Sequence, residues 1–195
     1  EPNVMTVMTT ATAVCPVCAG ASEPFTRAPS PADISGTPDT LFRCPSCAVA
    51  FVSPVPVFQS TSELYAESYY SRWGNVLKVA GNAWLASKRR KIEAFAQKGK
   101  ILDVGCAHGE FIGEMRRHGW DVRGVESSDS ARSLLPDALK GRVFKDVEGV
   151  ASERFDVITL WHVLEHIPDV KGMVRRLSAL LKKDGILFVA VPNLA

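Results

Sequence analysis

Several features that would narrow the class of this protein are missing from its 195-residue sequence. No run of about 18 consecutive apolar residues occurs, so the sequence predicts no membrane-spanning helix. The first twenty residues lack the basic flank and continuous apolar stretch of a secretory signal, and we therefore expect a cytoplasmic protein. A formal net charge of +2 is too small to indicate a polyanionic partner. The apolar fraction of 46% nevertheless supplies a core for one full domain and a small one, which excludes disordered and fibrous proteins.

Cysteine and proline are concentrated near the amino terminus, where basic residues are almost absent. The first 56 residues contain nine of the twelve prolines and four of the five cysteines, but Arg27 and Arg43 are their only basic residues. From about residue 60 the pattern changes to amphipathic helices and buried strands. We predict a small loop-rich module at 12–56, a helical linker or lid at 57–98, and an α/β core at 99–195.

The four amino-terminal cysteines form two C-x-x-C pairs, Cys15/Cys18 and Cys44/Cys47. Four thiolates held in pairs by tight turns provide the closed tetrahedral shell of a structural zinc site. Apolar segments on either side of the second pair indicate a hairpin with that pair at its turn. The pattern predicts a small zinc ribbon whose folding depends on the metal. Two disulfides, or a redox-active pair, are alternative interpretations that the missing secretion signal and the missing thioredoxin-like strand and helix disfavour.

A loop of small residues follows the first buried strand of the α/β core. Residues 101–113 indicate an apolar strand containing Asp103, a loop from Gly105 to Gly109, and the start of a helix. This order is the first half of a nucleotide-binding crossover, in which glycines admit a ligand close to the backbone. The next strand ends at Glu126, where a carboxylate can hold two ribose hydroxyls. The spacing differs from the G-x-G-x-x-G of dinucleotide folds, and Asp103 favours a cationic ligand over a diphosphate.

Two segments of the core resemble a known family. The segment D-V-G-C-A-H-G at 103–109 resembles motif I of class I S-adenosylmethionine (SAM)-dependent methyltransferases, with Ala107 in place of the middle glycine. Residues 155–169, F-D-V-I-T-L-W-H-V-L-E-H-I-P-D, resemble the signature of methyltransferases related to the quinone-biosynthesis O-methyltransferases. The resemblance covers 101–193 and implies an α/β fold, a Rossmann-like doubly wound parallel sheet with about five strands present, preceded by the zinc ribbon.

The family sheet has seven strands, and the resemblance therefore leaves two of them unaccounted for at the carboxy terminus. The last predicted elements are a helix ended by residues 182–185 and a fifth strand at 186–191. We expect the carboxy-terminal part of the core to be missing. The exposed edge of the fifth strand would then need a cover, such as a second copy of the chain.

The resemblance also implies roles for individual residues in cofactor binding. Asp103 and the loop at 105–109 would line the methionine part of SAM, and Glu126 would take the ribose hydroxyls. Asp146, at the end of a strand over 142–146, would accept the adenine amino group, unless it caps a turn. The implied cofactor residues are Asp103, Gly105, Cys106, Ala107, His108, Gly109, Glu126, Ser127, Asp146, Val147, Leu160 and Trp161, of which Trp161 has a core role as its alternative.

Methyl transfer from a sulfonium is an in-line displacement that mainly requires alignment of donor and acceptor in a water-poor site. A hydroxyl acceptor also needs a base, and His162 and His166, one helical turn apart, are the candidate catalytic residues. Together with Glu165 they could instead hold a second metal or form a network at a helix start.

We therefore expect a SAM-dependent methyltransferase, or the amino-terminal part of one, that releases S-adenosylhomocysteine (SAH) and carries structural zinc. The expected acceptor is a hydroxyl or carbon of a small, sugar-like metabolite. A non-catalytic module that binds SAM, an RNA methyltransferase and an NAD-dependent oxidoreductase are the alternatives. The basic cluster at 87–91 is expected to be a solvated helix face rather than a nucleic-acid patch. Tyr65 and Tyr69 are expected either to close over SAM as a lid or to pack between ribbon and core.

Overall fold

The computed structural model describes residues 12–28, 39–53 and 78–192. The chain divides into two compact units, Glu1–Phe58 and Gln59–Ala195, and each unit contains a sheet of its own. Tyr65 and Tyr69 of the predicted lid lie outside the described residues, whereas residues 78–98 of the predicted linker are described. The predicted three-part division of the chain stays a prediction. No helix in the described ranges is long and apolar enough to cross a membrane.

The amino-terminal unit is a four-stranded antiparallel sheet in which the strands follow one another in chain order. Each outer hairpin turns at one of the C-x-x-C pairs, which confirms the predicted hairpin at the second pair. The second strand, which belongs to the first hairpin and pairs with the second, was not predicted, because its proline and polar residues hide the alternation that marks a strand. The strands are β1 (Ala13–Val14), β2 (Ala21–Ala28), β3 (Asp39–Arg43) and β4 (Ala50–Val52).

The second unit is built on a parallel sheet of five strands with helices on both faces. Its strands are β5 (Lys100–Val104), β6 (Asp121–Val125), β7 (Val143–Phe144), β8 (Phe155–Trp161) and β9 (Leu181–Ala190), in the spatial order β7-β6-β5-β8-β9. Its helices are α1 (Lys78–Glu93), α2 (Glu110–Arg117), α3 (Asp129–Ser133) and α4 (Val170–Leu180). The strand order reverses between β5 and β8, which confirms the predicted fold class and creates a crevice at the carboxyl ends of these two strands.

Alternating side chains of the buried strands pack into two cores, one on each face of the sheet. On one face Ile101 packs with residues of α1 and α2, including Ile92 and Met115. On the other face Leu102 packs with Leu177 of α4. These five side chains, from the two faces of the sheet, are all fully buried. The sheet beneath the crevice between β5 and β8 is therefore closely packed on both faces.

Two predicted strands have different bounds in the structure. The strand expected over 142–146 is only Val143–Phe144, because Asp146 leaves it to cap a following 3₁₀ turn. The strand expected from 186 begins at Leu181, directly after α4. The residues between 181 and 186 interrupt the regular pairing of β9 with β8. There Lys182 Nζ lies 2.8 Å from both carboxylate oxygens of Asp156. That ion pair holds the polar segment, which was predicted as the end of the helix, beside the neighbouring strand.

Candidate cofactor and metal sites

The loop between β5 and α2 lies at the point where the strand order reverses. Its backbone has positive φ angles at Gly105 (74°), Ala107 (48°) and Gly109 (81°). A Cβ atom at Gly105 would stand 2.4 Å from Val163 Cγ2, and one at Gly109 would stand 2.6 Å from Leu139 Cδ1. Both glycines are therefore required by conformation and by space, and the loop presents bare backbone at the mouth of the crevice.

Glu126, at the end of β6, holds this loop through its carboxylate. Its Oε2 accepts a hydrogen bond from the amide of Ala107 (3.0 Å), and its Oε1 accepts one from the amide of Ser128 (2.9 Å). A carboxylate accepts about four hydrogen bonds, so both oxygens keep capacity for ligand hydroxyls. The structure thus brings Glu126 and the 105–109 loop together as predicted from their order in the sequence.

Asp103 is the buried acid of the site. It belongs to β5, and Thr159 Oγ1 on the adjacent β8 donates a 2.6 Å hydrogen bond to its Oδ1. Burial raises the pKa of Asp103 to about 7, although the Thr159 hydroxyl and the Lys88 ammonium oppose this shift. A cationic ligand would favour the ionised form of this carboxyl.

Lys88 of α1 is a site residue that sequence reasoning missed. Only 8% exposed, it places its ammonium 3.5 Å from the ring centroid of Trp84, 4.4 Å from that of Trp161 and 5.7 Å from that of Phe111. Burial lowers the pKa of Lys88 to about 8, and the negative charge of Asp103 works in the opposite direction. An ammonium surrounded by three aromatic rings is stabilised by cation–π attraction.

The expectation that 87–91 is a solvated helix face is therefore wrong for part of the cluster. Lys88 is buried and Arg89 is half-buried, whereas Arg90 and Lys91 are exposed. The signal was present in the spacing, because residue 88 lies one turn before the buried Ile92 and so on the inner face of the helix.

Trp161, the last residue of β8, carries an unpaired polar atom. Its ring is half-buried and meets Phe111 edge-on at 5.7 Å. Its indole Nε1 is buried and makes no hydrogen bond with any residue that the structure describes. A buried donor without a partner costs free energy, so such an atom in a crevice points to a ligand acceptor. Trp161 also packs against the buried cluster that contains Phe111, which agrees in part with the core role given above as its alternative.

A buried carboxyl, a buried ammonium and an indole N–H that no described residue accepts thus belong to elements around the glycine loop. An amino-acid zwitterion carries the complementary charges, and the methionine part of SAM is such a group. The charges and the hydrogen-bond donor of these three residues therefore fit the methionine part of SAM.

The other residues implied as cofactor contacts are less directly placed. Cys106 is buried, which raises its thiol pKa and keeps it uncharged. Leu160 and Val147 are buried in the core on the α4 face. Asp146 accepts a hydrogen bond from the amide of Gly149 (3.2 Å), which is the capping role given above as its alternative. His108 lies 3.8 Å from a carboxylate oxygen of Glu110, and Ser127 is exposed.

His162 and His166 do not lie one helical turn apart, so that prediction is wrong. The chain after β8 forms a bend and a short 3₁₀ turn, Leu164–His166, and α4 begins only at Val170. His162 has a left-handed φ of 58°, its amide donates to the carbonyl of Ala190 (2.8 Å), and its side chain is 59% exposed. Its Nδ1 lies 3.6 Å from Glu165 Oε1.

The four cysteines of the ribbon form a compact cluster of sulfur atoms. The Sγ atoms of Cys15 and Cys47 are 3.6 Å apart, those of Cys18 and Cys44 are 3.4 Å apart, and all four lie within 4.8 Å of one another. A tetrahedral zinc ion with bonds of about 2.3 Å requires sulfur separations of about 3.8 Å. The cluster therefore fits zinc, and these separations are far longer than a disulfide bond.

The two cysteine turns share the same backbone geometry. The Cys15 amide donates to the Gly20 carbonyl and the Cys44 amide to the Val49 carbonyl, each at 2.9 Å. Ala19 and Ala48, which follow the pairs, both have a φ of 61°. Although burial opposes ionisation, hydrogen bonds from the Cys47 amide and the Cys18 thiol lower the pKa of Cys44 to about 6. Within the described ranges no other group of His, Cys, Asp and Glu side chains is arranged to hold a metal, so a second metal at 162–166 finds no support.

Curated proteins are similar in sequence to about half of this chain. The chain is 34% identical over 105 residues to the ubiquinone biosynthesis O-methyltransferase of Coxiella burnetii (strain RSA 493 / Nine Mile phase I), covering 49% of this chain and 45% of that protein. It is 35% identical over 107 residues to the enzyme of the same name from Actinobacillus pleuropneumoniae serotype 7 (strain AP76), covering 48% and 46%. The chain thus spans less than half the length of these relatives.

Solved structures share the fold. Coclaurine N-methyltransferase bound to N-methylheliamine and SAH matches with a TM-score of 0.50 and 23% identity, over 60% of this chain and 37% of that one. A SAM-dependent methyltransferase from Clostridium acetobutylicum ATCC 824 also has a TM-score of 0.50, with 17% identity over 63% and 56% of the two chains. A family model described as a methyltransferase domain matches residues 81–195. Because this match covers more than half of the sequence, the chain belongs to the methyltransferase domain family.

Proposed function

We propose that this chain binds SAM at the carboxyl ends of β5 and β8 and serves methyl transfer to a small acceptor. The observation that carries the proposal is the burial of two oppositely charged groups, Asp103 and Lys88, which act on each other electrostatically beside the glycine loop. Burial of either charge alone is unfavourable, and a ligand with a matching zwitterion satisfies both.

Each group of the site has a distinct part in binding. The Asp103 carboxylate takes the ammonium of the methionine moiety, and the Lys88 ammonium takes its carboxylate. Glu126 takes the ribose hydroxyls while it continues to hold the loop, and the Trp161 N–H donates to a ligand oxygen. Bound SAM supplies an electrophilic methyl group on a sulfonium. The protein residues hold it in line with the acceptor and exclude water.

The proposed acceptor atom is a hydroxyl of a small, sugar-like or ring-bearing metabolite. Relatives that share 34–35% identity with the chain are O-methyltransferases by name. An oxygen nucleophile needs a base, and His162 follows directly on Trp161 at the end of β8. Its Nδ1 faces Glu165, which leaves Nε2 on the opposite side of the ring to take the acceptor proton. A left-handed φ at a non-glycine residue is typical of functional sites.

We further propose that the ribbon holds one structural zinc ion through Cys15, Cys18, Cys44 and Cys47. The sulfur separations and the matched turns support this assignment. A sheet this small buries little apolar surface, so the metal would contribute most of its folding free energy.

Calorimetry with SAH tests the cofactor site, because SAH carries the complete methionine zwitterion. We expect micromolar binding by the unaltered protein and at least tenfold weaker binding after Asp103→Ala or Glu126→Ala. Asp137→Ala removes an exposed carboxylate on the 3₁₀ turn Asp137–Leu139 and is the matched control, with no expected effect. A folded, unaltered protein that does not bind SAH would refute the cofactor assignment.

A further inference from the structure

Glu114 is a buried carboxylate that the proposed binding scheme does not use. It lies on α2, the helix that begins directly after the glycine loop, and it is 8% exposed. Arg89 Nε of α1 donates a 3.1 Å hydrogen bond to its Oε1, and Arg117 donates a 2.9 Å bond to its Oε2. The Nδ1 of His118 lies 3.3 Å from the same carboxylate.

Arg89 is also bound from its own helix. Its Nη1 donates a 2.5 Å hydrogen bond to Glu93 Oε2, and the other oxygen of Glu93 accepts from Trp120 Nε1 at 3.3 Å. One guanidinium therefore connects α1 to two carboxylates, one of which is on α2. We name Arg89, Glu93 and Glu114 the α1–α2 clamp. Charge-assisted hydrogen bonds to a guanidinium are directional, so the clamp restricts rotation of α1 in a way that apolar packing does not.

Lys88 precedes Arg89 in α1, and its side chain points about 100° away around the helix. Its ammonium lies at the end of a long side chain, about 8 Å from the helix axis, so a rotation of about 20° would move it by about 3 Å. Such a displacement equals the length of a hydrogen bond. The position of Lys88 against Phe111 and Trp161 thus depends on how α1 is rotated.

We infer that Arg89 and Glu114 are positioning residues that hold Lys88 where it receives the carboxylate of the cofactor. This inference rests on the proposed function and adds to it a polar element outside the binding crevice. The clamp transmits its effect only through Lys88. Its loss therefore weakens ligands that carry the methionine carboxylate and spares ligands that lack it.

The experiment compares two ligands on the full chain by calorimetry. SAH carries the methionine zwitterion, whereas 5′-methylthioadenosine shares adenine, ribose and the thioether but has no amino-acid group. For Arg89→Met and Glu114→Gln we expect the Kd for SAH to rise five- to tenfold while the Kd for 5′-methylthioadenosine changes less than twofold. Arg89→Lys, which keeps one donor and the charge, restores part of the SAH affinity.

Two controls separate positioning from a loss of stability. Ile92→Val removes a methyl group from the buried face of the same helix and destabilises the protein without touching the clamp. We expect it to leave the ratio of the two Kd values unchanged. In a Lys88→Met background, Glu114→Gln has no further effect on that ratio, because the residue through which the clamp acts is gone.

The outcomes distinguish three claims: the positioning role of the clamp, the proposed function, and the role of Lys88 as the carboxylate partner. Parallel weakening of both ligands in the clamp variants, or an unchanged ratio, overturns the positioning role. An effect of Glu114→Gln that persists without Lys88 also overturns it. Failure of the unaltered protein to bind either ligand refutes the proposed function instead. Equal affinity of the unaltered protein for the two ligands refutes the role of Lys88 as the carboxylate partner.

Discussion

The charge of Lys88 gives the sharpest prediction about the cofactor site. Lys88→Met keeps a long apolar side chain among Trp84, Phe111 and Trp161 but removes the ammonium. Opposite unit charges about 4 Å apart attract by about 4 kcal/mol at an effective dielectric constant of 20. Weakened cation–π contact on ligand binding offsets about 1 kcal/mol of this, and measured charge-assisted hydrogen bonds contribute about 1.5–3 kcal/mol. We therefore expect the Kd for SAH to rise about ten- to a hundredfold.

The pH dependence of binding follows from the same residue. The Lys88 pKa is about 8, lowered by burial, so the ammonium that attracts the carboxylate is lost as the pH rises through 8. Above that pH the Kd for SAH should increase about tenfold per pH unit. Lys88→Arg keeps its charge throughout this range, so in that variant the alkaline limb should become shallower and reflect only the loss of the SAH ammonium that Asp103 receives.

Calorimetric titration with SAH between pH 6 and 9.5 measures both effects, and 5′-methylthioadenosine serves as the ligand without a carboxylate. An alkaline limb that is the same in the unaltered protein and in the Lys88→Arg variant would refute the reasoning. A Kd for SAH within twofold of the unaltered value in Lys88→Met would refute it as well.

Three further predictions concern stability, metal and chemistry. Burial raises the pKa of Asp103 to about 7, so the folded state binds this proton more tightly than the unfolded state and loses stability as pH rises from about 4 to 7. Asp103→Asn should therefore raise Tm by a few degrees at pH 8 while it abolishes SAH binding, and a lower Tm would contradict this reading. A zinc chelator, or Cys44→Ser, should unfold the ribbon, seen as loss of one zinc per chain in metal analysis and of amide protection at β1–β4, whereas Cys106→Ser should retain the metal. Once a hydroxyl acceptor is found, His162→Gln should lower kcat at least a hundredfold without changing the Kd for SAH, and an unchanged kcat would exclude His162 as the base.

Short motifs carried most of the information that could be taken from the sequence. The C-x-x-C pairs, the glycine loop and the acids at 103 and 126 depend on neighbours along the chain. Their types and spacing therefore predicted the ribbon hairpin, the parallel sheet and the loop that Glu126 holds. Thr159, which hydrogen-bonds Asp103, also lies within a segment whose likeness to the family was recognisable.

Contacts between distant segments escaped prediction for a physical reason. In the sequence, Lys88 belongs to a basic cluster that predicts a solvated helix face. In the structure, α2 and β8 place Phe111 and Trp161 beside its ammonium. Its burial, and the connection of Arg89 to Glu114 on another helix, are properties of packing rather than of local sequence. The same holds for His162, whose backbone is set by a hydrogen bond to the carbonyl of Ala190 on β9 and not by helix spacing.

The sequence by itself thus determined most of the elements, the paired cysteines of the ribbon and the carboxylates of the candidate site, because each is encoded within a few residues. Only the tertiary structure decided which positive charge acts on Asp103, because the answer depends on how α1 packs against α2 and β8. Burial shifts the pKa values of Asp103 and Lys88, and this burial arises only when segments distant in the sequence pack together.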